Sequence, residues 1–333
     1  MHFKSDGSIK DLSDEESIGN DGSFTAYIFP GQGSQYEGMG KDLVQNFPVA
    51  RSVFEEVDEA LGFSLSKLCF EGTAAELQLT ENTQPAILAT SIAAARAMAS
   101  AGLKPAAFVA GHSLGEYSAL VASGALSLAE AARTVRARGR YMQEAVPVGT
   151  GAMAAILGAE LATIEKACRE ASDGEICTPA NLNSPKQVVI AGNAGAVDRA
   201  MELLKKAGAK RVVKLNVSAP FHCALMMPAQ DRLSVELEQL AFSVPQAPVI
   251  TNVDARLCNT PAELRDALLR QVSSPVRWQE SIELLLRHGV NTFVEVGPGK
   301  VLSGLIRQID RETKVFNVED AASLAETQSK LAA

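Results

Sequence analysis

No two of the five cysteines, Cys69, Cys168, Cys177, Cys223 and Cys258, stand in a C-x-x-C spacing, and their number is odd. That excludes a thiolate ligand pair and a disulfide framework, and leaves reduced thiols, Cys223 among them as a packing residue. An apolar run fit to span a membrane is also lacking. The most apolar long stretch, residues 85–101, is alanine-rich and carries Arg96, and no charged-then-apolar leader with a cleavage site opens the chain. Positive charge is scarce: the net charge is −8, and residues 1–22 hold six Asp or Glu against two Lys. Subtracting that segment's −4 leaves −4 for the remainder, which offers no general attraction to nucleic acid. Residues 1–22 have no apolar periodicity and read as a disordered tail. What the chain has is bulk. At 47% hydrophobic and 21% charged, its 333 residues can bury a large core without disulfide, metal or cofactor. We read a cytoplasmic monomer that neither enters a membrane nor binds nucleic acid.

Against this background Gly111-His112-Ser113-Leu114-Gly115 stands out. The pentapeptide is entered from an apolar run, residues 106–110, and left through a helix-forming stretch, residues 116–121. A G-x-S-x-G in that setting is a nucleophile elbow: a sharp strand-to-helix turn strains the serine backbone and lifts its hydroxyl above the sheet. The following helix directs its first N–H groups toward the place where an oxyanion would form.

A serine hydroxyl is a poor nucleophile at neutral pH and needs a base, and the chain has four histidines. His2 lies in the polar tail, His112 diverges from Ser113 within the turn, and His288 ends an amphipathic run just before Gly289. His222 remains. It stands in Ser218-Ala219-Pro220-Phe221-His222-Cys223, a Pro-broken segment between a strand-like and a helix-like run, where loop-borne catalytic groups tend to lie.

The pattern along the chain predicts an α/β fold: an α/β-hydrolase-like core with a parallel sheet, residues 23–148 and 219–333, and an inserted ferredoxin-like subdomain, residues 149–218. Strands are expected at 24–29 and 106–110, a helix at 85–100, and a helix at 129–145. From 151 the order is strand (152–157), helix (161–171), strand (176–182), strand (187–191), helix (194–207) and strand (211–217), the β-α-β-β-α-β of ferredoxin-like units. The core resumes near Met226, with strands at 249–253 and 292–296 and a helix opening at Thr260-Pro261-Ala262-Glu263. Ser113 would come from the core and His222 from the crossing back out of the insert, so the site belongs in the cleft between them.

Phe29-Pro30-Gly31-Gln32-Gly33-Ser34-Gln35, Gly111 to Ser118, Arg138-Gly139-Arg140-Tyr141-Met142-Gln143 and Phe221-His222 resemble the malonyl-CoA:acyl carrier protein transacylases of bacterial fatty acid synthesis. The likeness continues through Asn183-Ser184-Pro185, residues 187–192 and Glu295-Val296-Gly297-Pro298-Gly299-Lys300, so it spans about residues 24 to 318. Polyketide synthase acyltransferase domains share most of these motifs. The resemblance implies that Ser113 takes the malonyl group as an ester and that His222 removes its proton and later activates the incoming thiol. It implies further that a backbone carbonyl, at Gln271, orients His222 in place of a carboxylate, and that the oxyanion hole is the N–H groups of Gln32 and Leu114. Arg138 would grip the free carboxylate of the acyl group through two parallel hydrogen bonds, which selects malonyl over acetyl. By analogy the bulk of Phe221 disfavours methylmalonyl. The implied partners are malonyl-CoA and an acidic, phosphopantetheinylated acyl carrier protein, in a ping-pong reaction without metal or cofactor.

Lys205, Lys206, Lys210, Arg211 and Lys214 cluster in one helix-turn-strand, a candidate face for an acidic carrier or simply a solvated helix. Two other readings stand beside the resemblance: an α/β hydrolase using Asp231 or Asp254 as its acid, and a carrier-binding module with a vestigial site. Hydrolases of that fold place the acid between serine and histidine and the histidine near the C-terminus, which this chain order does not match.

Overall fold

The computed structural model describes residues 24–217 and 219–332; the tail expected over 1–22, and Ser218, lie outside the described residues. Its strands are β1 (Phe24–Phe29), β2 (Phe108–Gly111), β3 (Gly151–Leu157), β4 (Cys177–Ser184), β5 (Gln187–Asn193), β6 (Arg211–Lys214), β7 (Val249–Thr251), β8 (Arg256–Cys258), β9 (Val290–Val296) and β10 (Lys314–Val318). β10, β9, β1, β2, β7 and β8 form, in that order, a six-stranded sheet. It is parallel except for β8, which turns back along β7. Parallel neighbours need crossovers, and helices supply them. Thr80–Ser100, between β1 and β2, is buried around most of its circumference, as its run of alanine with few charges allows. Among the described residues no helix is long and apolar enough to cross a membrane.

β3 to β6 form a second, wholly antiparallel sheet in the order β4-β5-β3-β6. Taken as first to fourth strands of their own unit they run second, third, first, fourth, the ferredoxin-like order. Helices Leu161–Ser172 and Ala194–Lys206 each bury one apolar stripe on this sheet, through Ile164, Ala167 and Cys168 and through Val197, Ala200 and Leu204. Main chain ties the smaller sheet to the segment between helices Pro261–Gln271 and Trp278–Arg287: Leu182 N–H donates to the Val276 carbonyl at 2.9 Å, and Val276 N–H to the Ala180 carbonyl at 2.9 Å.

The helix expected from residue 85 begins at Thr80. The first four N–H groups of a helix have no partner within it, and Pro85 lies just beyond them, so it removes a single bond. The polar opening Thr80-Glu81-Asn82-Thr83-Gln84 hides this turn from a reading of apolar spacing. Helices Lys41–Asn46, Leu65–Glu71 and Ala74–Gln78 and the edge strand β10 are too short to show a clear period, whereas Pro48–Leu61, absent from the expectations above, buries Ala50, Val53, Phe54 and Val57 at plain helical spacing.

Candidate active site

Parallel strands deliver their loops at the carboxyl edge of a sheet. Because β1, β2 and β7 lie side by side, Pro30-Gly31-Gln32, the elbow and Asn252 emerge there together. Ser113 has φ 52°, left-handed backbone that a non-glycine residue adopts at a cost. Its flanks explain how the turn closes. A Cβ on Gly111 would lie 1.9 Å from the Gly115 carbonyl carbon, and one on Gly115 would lie 2.1 Å from the Phe29 carbonyl oxygen. The strained residue is then pinned from both sides: Ser113 N–H donates to Asn252 Oδ1 at 2.6 Å, and its carbonyl accepts from Gln271 Nε2 at 3.0 Å.

Of the described histidines it is His222 that meets the serine, with Nε2 at 2.7 Å from Ser113 Oγ. His222 also has left-handed backbone, φ 59°, in the turn before the helix Met227–Glu238. Nδ1 lies 2.9 Å from the main-chain carbonyl of Gln271, at the end of the helix Pro261–Gln271. A carbonyl can only accept, so Nδ1 carries the proton and Nε2 presents a lone pair to the serine hydroxyl. Burial, and next the Arg138 cation, push the imidazole down to about 3, opposed by the Gln271 carbonyl. His222 is therefore a neutral acceptor. His112 turns away, its Nε2 at 2.8 Å from Asn183 Oδ1 and its ring 5.5 Å from that of Trp278. His288 caps the helix Trp278–Arg287. Asp254 pairs with Arg270 at 2.6 Å, and Asp231 is exposed, so neither acid stands behind His222.

Arg138 is carried by the helix Leu128–Glu144, which crosses the opening turn of Thr80–Ser100 so closely that a Cβ on Gly139 would lie 2.6 Å from the Thr80 carbonyl. Arg133 and Arg140 on the same helix are exposed, whereas Arg138 is 1% exposed. Its Nη1 donates to Gln84 Oε1 at 2.7 Å, and its Nη2 donates to Gln271 Oε1 at 2.9 Å and to Ser113 Oγ at 3.1 Å. All three acceptors are uncharged. Its Nε has no hydrogen-bond partner among the described residues. Burial pulls the guanidinium below its ordinary value, yet arginine keeps its proton in proteins.

Gln32 is exposed in the loop after β1, and Gly31 beside it presses on the elbow, where a Cβ would lie 2.4 Å from the His112 carbonyl. Leu114 directly follows Ser113. Neither Gln32 N–H nor Leu114 N–H donates to a protein acceptor among the described residues. Phe221 is buried beside His222. Cys223 is packed, its Sγ 3.1 Å from the Pro220 carbonyl and its thiol pushed up to about 11 by burial. In the basic cluster Lys205 pairs with Glu202 and Lys214 with Asp198, at 2.7 and 2.6 Å. Sequence reasoning missed Gln84, Asn252 and Glu116. Glu116 is 1% exposed, and its Oε2 accepts from Asn252 N–H and Gln271 Nε2, both at 2.9 Å. Burial pushes its carboxyl up to about 7, opposed by those two bonds and by Arg138.

A half-buried serine paired with a buried histidine, with a cation beside the nucleophile, is suited to acyl transfer, and the comparisons agree. The acyl transferase domain model matches residues 26–331. A malonyl CoA-acyl carrier protein transacylase of Salmonella typhimurium is 50% identical over 300 residues, covering 90% of this chain and 97% of its own. One of Bacillus subtilis is 49% identical, covering 90% and 94%. The crystal structure of an acyl carrier protein S-malonyltransferase from Vibrio cholerae superposes with TM-score 0.90 at 49% identity, covering 92% of this chain and 100% of its own. A malonyl-transacylase in complex with its holo type II PKS acyl-carrier protein gives TM-score 0.91 at 47% identity, with 92% and 100% covered. From the elbow, the buried arginine and this continuous likeness, the chain belongs to the acyl transferase domain family, among the malonyl CoA-acyl carrier protein transacylases.

Proposed function

We propose that the protein moves a malonyl group from malonyl-CoA to the phosphopantetheine thiol of an acidic acyl carrier protein, through a malonyl ester of Ser113, for fatty acid synthesis. The transfer takes place in the cytoplasm, on a monomer, with residues 23–148 and 219–333 as the core and 149–218 as the inserted unit. The observation that carries this reading is Arg138: a buried cation, hydrogen-bonded to neutral groups alone, with Nη2 3.1 Å from the Ser113 hydroxyl. A guanidinium so placed suits an acyl group that ends in a carboxylate.

In the first half-reaction Ser113 gives its proton to His222 Nε2 as Oγ bonds to the thioester carbon. The Gln32 and Leu114 N–H groups receive the oxyanion, and the imidazolium proton leaves with the coenzyme A sulfur as the C–S bond breaks. In the second, the carrier thiol gives its proton to His222 as its sulfur bonds to the ester carbon, and the C–Oγ bond then breaks as Ser113 Oγ takes the proton back from the imidazolium. The neutral Gln271 carbonyl behind His222 stabilises an imidazolium less than a carboxylate does, which suits an acidic thiol better than water and favours transfer over hydrolysis. The test is to incubate the protein with malonyl-CoA or acetyl-CoA and weigh the quenched chain and its serine-bearing peptide. A single malonyl adduct on Ser113, absent with acetyl-CoA and discharged by holo carrier protein, is the expected result. Free malonate without an adduct would turn the assignment to a hydrolase.

A further inference from the structure

Beneath the serine, histidine and arginine lies one carboxyl that the steps above do not use. Glu116 opens the elbow helix Gly115–Ala122 but turns its side chain inward, where it is 1% exposed. Its two partners each support a different part of the site. Asn252, whose N–H it receives, accepts from Ser113 N–H at 2.6 Å and donates from Nδ2 to the Gly111 carbonyl at 2.7 Å. Gln271, whose Nε2 it receives, presents Oε1 to Arg138 at 2.9 Å and its main-chain carbonyl to His222 at 2.9 Å.

An amide side chain has an accepting and a donating end, and its neighbours decide which end faces where. A flipped Gln271 would turn its NH₂ toward the guanidinium, donor against donor, and leave Arg138 Nη2 without that acceptor. Glu116 Oε2, at 2.9 Å, and the Ser113 carbonyl, at 3.0 Å, take the NH₂ end, and Glu116, the side chain of the two, holds Oε1 on Arg138. The same Glu116 oxygen takes the Asn252 main-chain N–H and seats the residue whose side chain pins Ser113. We propose that Glu116 is a positioning residue: its carboxyl orients Gln271 and seats Asn252, and through them it aims the Arg138 guanidinium at the acyl carboxylate and holds the strained Ser113 backbone. This inference rests on the malonyl-transfer reading.

What matters on this account is the reach of an accepting oxygen rather than the charge. Glu116→Gln keeps the reach and removes the charge. Glu116→Asp keeps the charge and withdraws the oxygens by about 1.5 Å, more than a 2.9 Å hydrogen bond tolerates. The readout is the malonyl-CoA concentration that half-saturates single-turnover acylation of Ser113, which is independent of how much of each preparation is active. The expected result is a rise of about tenfold or more in E116D and of no more than about threefold in E116Q. An unchanged half-saturating concentration in E116D, or a rise in E116Q as large as that in E116D, overturns the assignment. Wild-type protein run alongside separates the two levels: no malonyl-Ser113 there refutes the transacylase reading itself, whereas a normal wild-type adduct with an unresponsive E116D refutes only the role of Glu116.

Discussion

Lowering the pH from 7.5 to 5.0 tests whether the environment of His222 sets its chemistry. An imidazole at its ordinary 6.5 would be about 3% neutral at pH 5.0, and a reaction that needs it as base would slow about thirtyfold. Burial and the Arg138 cation bring His222 down to about 3, so about 99% stays neutral at pH 5.0 and the base is retained. Stability need not collapse over the same interval. Below pH 6.5 the unfolded chain protonates this histidine and the folded protein does not, which lowers stability by on the order of 2 kcal/mol at pH 5.0. Glu116 acts in the opposite direction. With its carboxyl raised to about 7, the folded protein takes up that proton while the unfolded chain stays ionised down to about 4.5, so falling pH returns a similar amount. Rapid-quench acylation of Ser113 at low malonyl-CoA reports the free enzyme, and circular dichroism checks the fold. We expect a change of less than about twofold in rate. A fall of tenfold or more with an inflection near 6.5, in protein that remains folded, would refute the neutral, buried base.

Replacing Arg138 with Met keeps bulk and removes the two hydrogen bonds proposed to the malonyl carboxylate, each worth about 1.5–3 kcal/mol, so kcat/KM for malonyl-CoA should fall by about 10² to 10⁴ while acetyl transfer gains. An unchanged malonyl preference in steady-state competition would sink the clamp. Gly115→Ala drives a Cβ to 2.1 Å from the Phe29 carbonyl, backbone against backbone, and should cost about 3 kcal/mol or more, read as a lowered denaturant midpoint or loss of soluble protein. Asn252→Ala removes the acceptor of Ser113 N–H from a strained turn, and its turnover should drop about ten- to a hundredfold with the thermal midpoint moving by only a few degrees. Wild-type turnover in that variant would show that the pin does nothing for catalysis.

The parts of this site that sequence makes legible are those whose chemistry demands a local pattern. The elbow needs glycine at 111 and 115 because backbone atoms approach within 2.1 Å of where Cβ atoms would be, and that need is written in five consecutive residues. The ferredoxin-like unit was readable because its helices and strands each repeat an apolar period, and its observed limits differ from the expected ones by only a few residues, most at β6, which ends at Lys214. Gln84, Glu116 and Asn252 had no such mark. Each acts through polar contacts with residues distant in sequence, Glu116 and Asn252 being 136 residues apart, and a lone amide or carboxyl looks the same whether it faces solvent or a buried N–H. Gln271 entered only by resemblance, since a main-chain carbonyl leaves no trace in residue type.

The stitch between Ala180–Leu182 and Val276 has a bearing on how such a protein can diversify. It is made of main-chain groups, so no side chain specifies it, and Val276 lies five residues after the carbonyl that holds His222. Side chains around the site can be exchanged without shifting the smaller sheet against the segment that follows Gln271. Descendants of one ancestor could therefore explore new acyl groups by exchanging lining residues, while the atoms that make and break bonds are inherited in place.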